Sequence, residues 1–211
     1  MSQRVKVWDI FVRVFHWSLV LAFTLAWLSS ETESIVHVYA GYVVGGLLLS
    51  RVVWGFIGGR HARFRAFCYS PAETLAYIRD SLRGNPRRYL SHNPLGALMV
   101  FALLLSLSGT VVTGLVLHGD LPGAARLENA GENPRPAVRE DDQDDRDDEP
   151  RASGFVGGHE FWEEMHELFA NLSLVLAGLH IAGVVVASRL HKEKLVPAMW
   201  TGWKDTHDEG G

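Results

Sequence analysis

The chain holds one cysteine, Cys68, in 211 residues. That excludes an internal disulfide, and the absence of any C-x-x-C-H run removes the usual signal for covalent c-type haem attachment. No small-residue cleavage pattern follows Leu28, and Asp9, Arg13 and His16 interrupt the apolar run of "MSQRVKVWDIFVRVFHWSLVLAF". A retained first helix is therefore expected rather than a secretory signal that is removed. No internal repeat or separate soluble domain is discernible, so residues 1–211 read as a single domain, and no nucleic-acid partner is expected.

Hydrophobic residues make up 47% and charged residues 21%, an ordinary average for a soluble protein, but the apolar residues are bunched. Val14 to Leu28, Ile35 to Ile57, Leu95 to Leu117 and Phe161 to Leu190 each approach the ~20 residues that carry a helix across a bilayer core. Strongly polar segments separate them, which disfavours a buried soluble core. The expected fold is an all-α integral membrane four-helix bundle, with helices at about 8–29, 35–57, 95–118 and 161–190.

Charge orients these helices. The loop at 58–94 carries Arg60, Arg63, Arg65, Arg79, Arg83, Arg87 and Arg88 against only Glu73 and Asp80, which marks it as cytoplasmic. Both termini, with Arg4, Lys6 and Arg13 at one end and Arg189, Lys192 and Lys194 at the other, fall on that side. The connection "SSETES" has no Lys or Arg, and the loop at 119–160 holds "REDDQDDRDDEPR", so both are expected outside. Within the basic loop, "SPAETLAYIRDSLRG" reads as a short amphipathic helix on the membrane surface. Ser70 can cap it, Pro71 suits its first turn, and Glu73 can complete a capping box.

The fourth apolar stretch, "MHELFANLSLVLAGLH", carries His166 and His180. Their spacing of 14 residues returns the rings to within ~40° of one face and separates them by ~21 Å in depth. One helix therefore offers a site near each membrane surface. His16 in "VRVFHWSLV" matches the cytoplasmic level of His180, and His37 in "IVHVYAGYVVGG" matches the outer level of His166. Ionisable groups inside a membrane are functional candidates. Neutral imidazoles facing each other across a bundle can fill both axial positions of a haem iron, which favours electron transfer over binding of exogenous ligands. Two pairs at two depths suggest a bundle with two haems between its helices.

The segments "FHW", "VHVYAGY" and "MHELFANLSLVLAGLH" together resemble the bacterial cytochrome b561 and nickel-hydrogenase cytochrome b family across all four helices. The resemblance implies two haem b groups, with axial ligands His16 with His180 and His37 with His166. It also implies a bacterial inner-membrane protein that carries electrons between quinone and an outer-side redox partner, such as a periplasmic c-type cytochrome or a hydrogenase-like complex. The long acidic insertion departs from compact members and bears on the partner rather than the haem core. Arg51, 14 residues after His37, lies toward the inner level and can pair with a propionate or snorkel to the headgroups. His92 and Arg51 are candidates for a quinone site, since either side chain can donate to a quinone carbonyl. His159, seven residues before His166, competes for the outer ligand role but sits outside the expected hydrocarbon core.

Two other functions fit parts of the sequence. A branch of the same family takes electrons from superoxide, which would make the chain a stand-alone superoxide:quinone oxidoreductase; the acidic loop argues against it electrostatically. A metal-handling membrane protein could use the histidines and the Asp-rich loop. Both an electron carrier within a larger complex and an enzyme in its own right are compatible with these residues.

Overall fold

A computed structural model describes residues 3–30, 34–60, 62–84, 89, 93–120, 158–190 and 194–206. Among the described residues six α-helices follow in order: α1 (Ile10–Leu28), α2 (Ile35–Ile57), α3 (Pro71–Leu82), α4 (Pro94–Leu117), α5 (Gly158–Leu190) and α6 (Leu195–Thr201). Each of the first four begins at a side chain that takes up an otherwise orphaned amide of the first turn. Asp9 accepts from Val12 N, Ser34 from His37 N, and Asn93 from Gly96 N with Pro94 next to it. At α3 the capping box is complete, with Ser70 and Glu73 exchanging backbone bonds. Hydrogen bonds from the Ser70 amide and hydroxyl hold the Glu73 carboxyl below its usual range.

Helices α1, α2, α4 and α5 are each long and apolar enough to cross a membrane. They turn large apolar side chains outward, among them Leu21, Leu49, Phe56, Leu105 and Val186. In water such a surface would aggregate; against lipid it is the expected exterior. The chain is thus an all-α, multi-pass membrane bundle. At 33 residues, α5 is ~50 Å long against a hydrocarbon core of ~30 Å. It starts slightly before the expected 161, because Gly158, His159 and Glu160 continue the same helix.

One element was not evident in the sequence. Strands β1 (Gln3–Lys6) and β2 (Trp203–Thr206) pair antiparallel, with Gln3 opposite Thr206 and Lys6 opposite Trp203. This clip holds both ends of the described chain at the same end of the bundle, as four crossings require. Gly202 makes the turn possible: its φ of 87° is left-handed, and its carbonyl accepts from Val7 and Trp8 amides.

Packing divides the bundle into two hairpins. Helix α1 lies on α2 and α4 on α5, whereas α1 and α2 approach α5 much less closely. Ala22, Val44, Leu48 and Leu107 form a core where α1, α2 and α4 meet. On the other hairpin, Ser106 bonds Ser173 across the interface at 2.8 Å. Gly109 is needed there, since a Cβ would stand 2.7 Å from the Phe169 ring. In α3 the inward residue is Tyr77, and Leu75 and Leu82 are exposed.

Candidate haem sites

The four sequence-derived histidines meet in two pairs across the seam between the hairpins. His37 of α2 and His166 of α5 have ring centroids 6.1 Å apart. His16 of α1 and His180 of α5 have centroids 6.5 Å apart. Two metal–imidazole bonds of about 2 Å, with about 1.2 Å from each nitrogen to its ring centre, require a separation of about 6.4 Å. Both pairs match that span.

The outer pair also has its proton positions set. His37 Nδ1 lies 2.8 Å from the Ala26 carbonyl, and His166 Nδ1 lies 3.0 Å from the Thr110 carbonyl. A carbonyl only accepts, so each Nδ1 carries the proton and each Nε2 keeps its lone pair for a ligand bond. The Thr113 hydroxyl, 3.1 Å from His166 Nδ1, shares that proton while donating to the Gly109 carbonyl at 2.8 Å. Gly114 completes the seat: a Cβ there would lie 3.1 Å from His166 Cε1. At the inner pair, Trp17 stands edge-on to His16 at 5.2 Å, and His16 Nδ1 is buried without a hydrogen-bond partner.

The surroundings suit a flat macrocycle. A Cβ at Gly41 or Gly46 on α2, or at Gly178 or Gly183 on α5, would meet nothing within 4 Å. Gly41 is one turn beyond His37, while Gly178 and Gly183 flank His180. Gly45 behaves differently, packing against Val111 of α4. Small residues on α2 therefore serve close helix packing at one position and leave room at others.

Arg51 does not snorkel. It is 4% exposed, its Nη2 donates to the Ala62 carbonyl at 3.2 Å, and its guanidinium lies 5.0 Å from the Phe64 ring centre. Its Nη1 is buried without a partner, a donor suited to a propionate oxygen. His159 is exposed and 3.6 Å from Glu163, one turn along the same helix. His118 packs against Tyr42 at the end of α4. His92 and the acidic run at 141–148 lie outside the described residues.

Ala26, Thr110, Thr113 and Gly114 were not singled out from the sequence. Two of the acceptors are backbone carbonyls, which every residue carries, and only the small-residue run "SGTVVTG" in α4 hints at a seat for a ring. Among the described residues, no group of three or more His, Cys, Asp and Glu side chains could hold a metal ion.

Comparison with known proteins identifies the family of the chain. The family model described as prokaryotic cytochrome b561 matches residues 7–202. A probable Ni/Fe-hydrogenase B-type cytochrome subunit from Rhodobacter capsulatus is 22% identical, over 97% of this chain and 83% of that protein. Proteins of the same description from Rhizobium leguminosarum bv. viciae and Azotobacter vinelandii are 28% and 33% identical, over 59% and 40% of this chain. Those two alignments span 63% and 38% of the relatives, under two thirds of each. No solved structure gives a significant match. With a family match across nearly the whole membrane bundle, the chain belongs to the prokaryotic cytochrome b561 family, and it is a multi-pass membrane b-type cytochrome of electron transfer.

Proposed function

We propose that the chain, as one membrane domain, holds two haem b groups and moves electrons between the quinone pool and a redox partner on the outer side, of the hydrogenase kind named for its relatives. His37 and His166 ligate the outer group, and His16 and His180 the inner one. The observation that carries this reading is the outer pair: two rings at ligand spacing, each with Nδ1 bonded to a carbonyl and Nε2 free.

Haem b, when bound, supplies a one-electron carrier. The chain's own residues do the rest. Two histidines at each site would hold the iron against exogenous ligands, and the carbonyls of Ala26 and Thr110 fix each outer ring's tautomer and raise its basicity. Arg51, buried at the inner level, offers Nη1 to a propionate, and His92 donates to quinone near the cytoplasmic surface. Both termini and the arginine-rich loop face the cytoplasm, and the acidic loop faces out.

The superoxide alternative meets an electrostatic obstacle beyond the acidic loop. Glu160, Glu163, Glu164 and Glu167 are exposed on the α5 turns beside His166, and an anion would approach against them. Purification in mild detergent tests the proposal. Two haem b per chain, a co-purifying redox partner, and a His92→Ala variant that loses quinone turnover with both haem spectra intact are the expected results. One haem or none per chain would overturn the dihaem reading, and normal quinone turnover in His92→Ala would move the quinone site.

A further inference from the structure

The two histidine pairs are not supported alike. At the outer pair each Nδ1 is held by a backbone carbonyl, Ala26 for His37 at 2.8 Å and Thr110 for His166 at 3.0 Å, with the Thr113 hydroxyl beside the second. At the inner pair His16 Nδ1 is enclosed without a partner, and among the described residues no hydrogen bond reaches His180. An imidazole whose N–H is bonded is the more basic ligand and favours ferric iron. The inner rings, without that support, favour ferrous iron by comparison.

Charge adds to the same difference. Helices α2 and α5 both run from the outer end to the inner one, and Arg51 follows His37 by the 14 residues that separate His180 from His166, so Arg51 stands at the level of His180. It is 4% exposed, its Ala62 partner is a neutral carbonyl, and among the described residues it is in no ion pair. Against the carboxylates that a haem carries, it cancels negative charge where little solvent screens it. Asp9 offsets part of that charge, but its oxygens already accept from Val12 N and Trp54 Nε1, and Arg13 lies one turn before His16. At the outer level the sign reverses. Glu163 is three residues before His166 and Glu167 directly follows it, both exposed. Positive charge eases reduction of iron and negative charge hinders it, so ligand support and charge tilt the two sites in one direction.

We propose that the inner site, with His16, His180 and Arg51, holds its iron at a higher reduction potential than the outer site, with His37 and His166, so that an electron entering from the outer partner comes to rest at the inner site. One electron leaves ferrous iron at the outer site and reduces ferric iron at the inner one; no ligand bond or proton changes place. The inference rests on the dihaem reading and gives its electron a direction.

Spectroelectrochemical titration of the purified holoprotein in detergent tests it. The native chain should titrate in two one-electron steps whose separation favours the inner site at least tenfold, about 59 mV for one electron. His37→Ala should keep the upper step and His16→Ala the lower one. Arg51→Gln retains a donor for the Ala62 carbonyl and loses the charge, so it should lower the upper step alone, and Arg51→Lys should recover most of the loss. Glu163→Gln with Glu167→Gln should raise the lower step alone, less so at high salt, because exposed charges are screened. Two haems per chain with coincident steps, with the upper step assigned to His37 and His166, or with both steps moved equally by Arg51→Gln overturn the proposal and leave the dihaem reading standing. One haem per chain overturns both.

Discussion

Thr113→Val isolates the support given to one proposed ligand. The substitution keeps the volume and branching of a side chain that is 4% exposed and removes only its hydroxyl. His166 Nδ1 then loses the acceptor at 3.1 Å and keeps the Thr110 carbonyl at 3.0 Å. One arm of a shared bond is worth less than a full bond, about 0.5–1 kcal/mol, so the affinity of the outer site for haem should fall roughly two- to fivefold. A less polarised imidazole also stabilises ferric iron less, which should raise the outer potential by about 20–40 mV. Haem titration of the apoprotein and a spectroelectrochemical titration of the reconstituted one read the two effects. Thr113→Ser, which restores the hydroxyl, should recover both. The reasoning fails if Thr113→Val leaves affinity and potential unchanged, or if the serine variant behaves like the valine one.

Other consequences are equally direct. The Ser173 hydroxyl bonds Ser106, whose own hydroxyl donates to the Phe169 carbonyl at 3.2 Å. Ser106→Ala should therefore cost about 1–3 kcal/mol by stranding Ser173, and the double alanine variant should lose less than the sum of the singles in unfolding measurements. Because its folded-state value is depressed, the Glu73 carboxylate stabilises the start of α3 at and above the usual carboxylate range. That contribution disappears as pH falls below the range, so the protection of the Ser70 amide, taken relative to its intrinsic exchange rate at each pH, should fall there, and Glu73→Gln should blunt the pH dependence. Reporter fusions after residue 85 and within 140–148 should give opposite compartment signals; matching signals would refute the proposed orientation.

What the sequence disclosed follows from which interactions leave a periodic mark. Hydropathy runs placed α2 at Ile35–Ile57 and α4 within a residue of its observed ends, because lipid imposes one demand over a whole span. The S-x-x-E of Ser70 and Glu73 gave α3 its start, since both capping partners are side chains three residues apart. Helical repeat was enough to align His166 and His180 and to match them by depth with His37 and His16, which the structure brings to 6.1 and 6.5 Å.

The remainder depends on contacts without local signatures. Strands β1 and β2 are four residues each, too short for alternation to show, and pair across nearly the whole chain. The seats of His37 and His166 use backbone carbonyls, and the closeness of Gly109 and Gly114 to α5 appears only when the helices are packed. Arg51 read equally as a headgroup or a propionate partner, and its burial beneath Phe64 speaks against the headgroup alone.

The central claim is that two iron centres join four histidines in fixed pairs. Alanine substitution of each, with haem stoichiometry and low-temperature spectra measured on the purified protein, addresses it most directly. His16→Ala and His180→Ala should abolish the same six-coordinate signal, and His37→Ala and His166→Ala the other, each variant retaining the untouched centre. Four variants that keep two normal b-type signals would contradict the account, as would a His159→Ala variant that loses the outer signal while His166→Ala retains it.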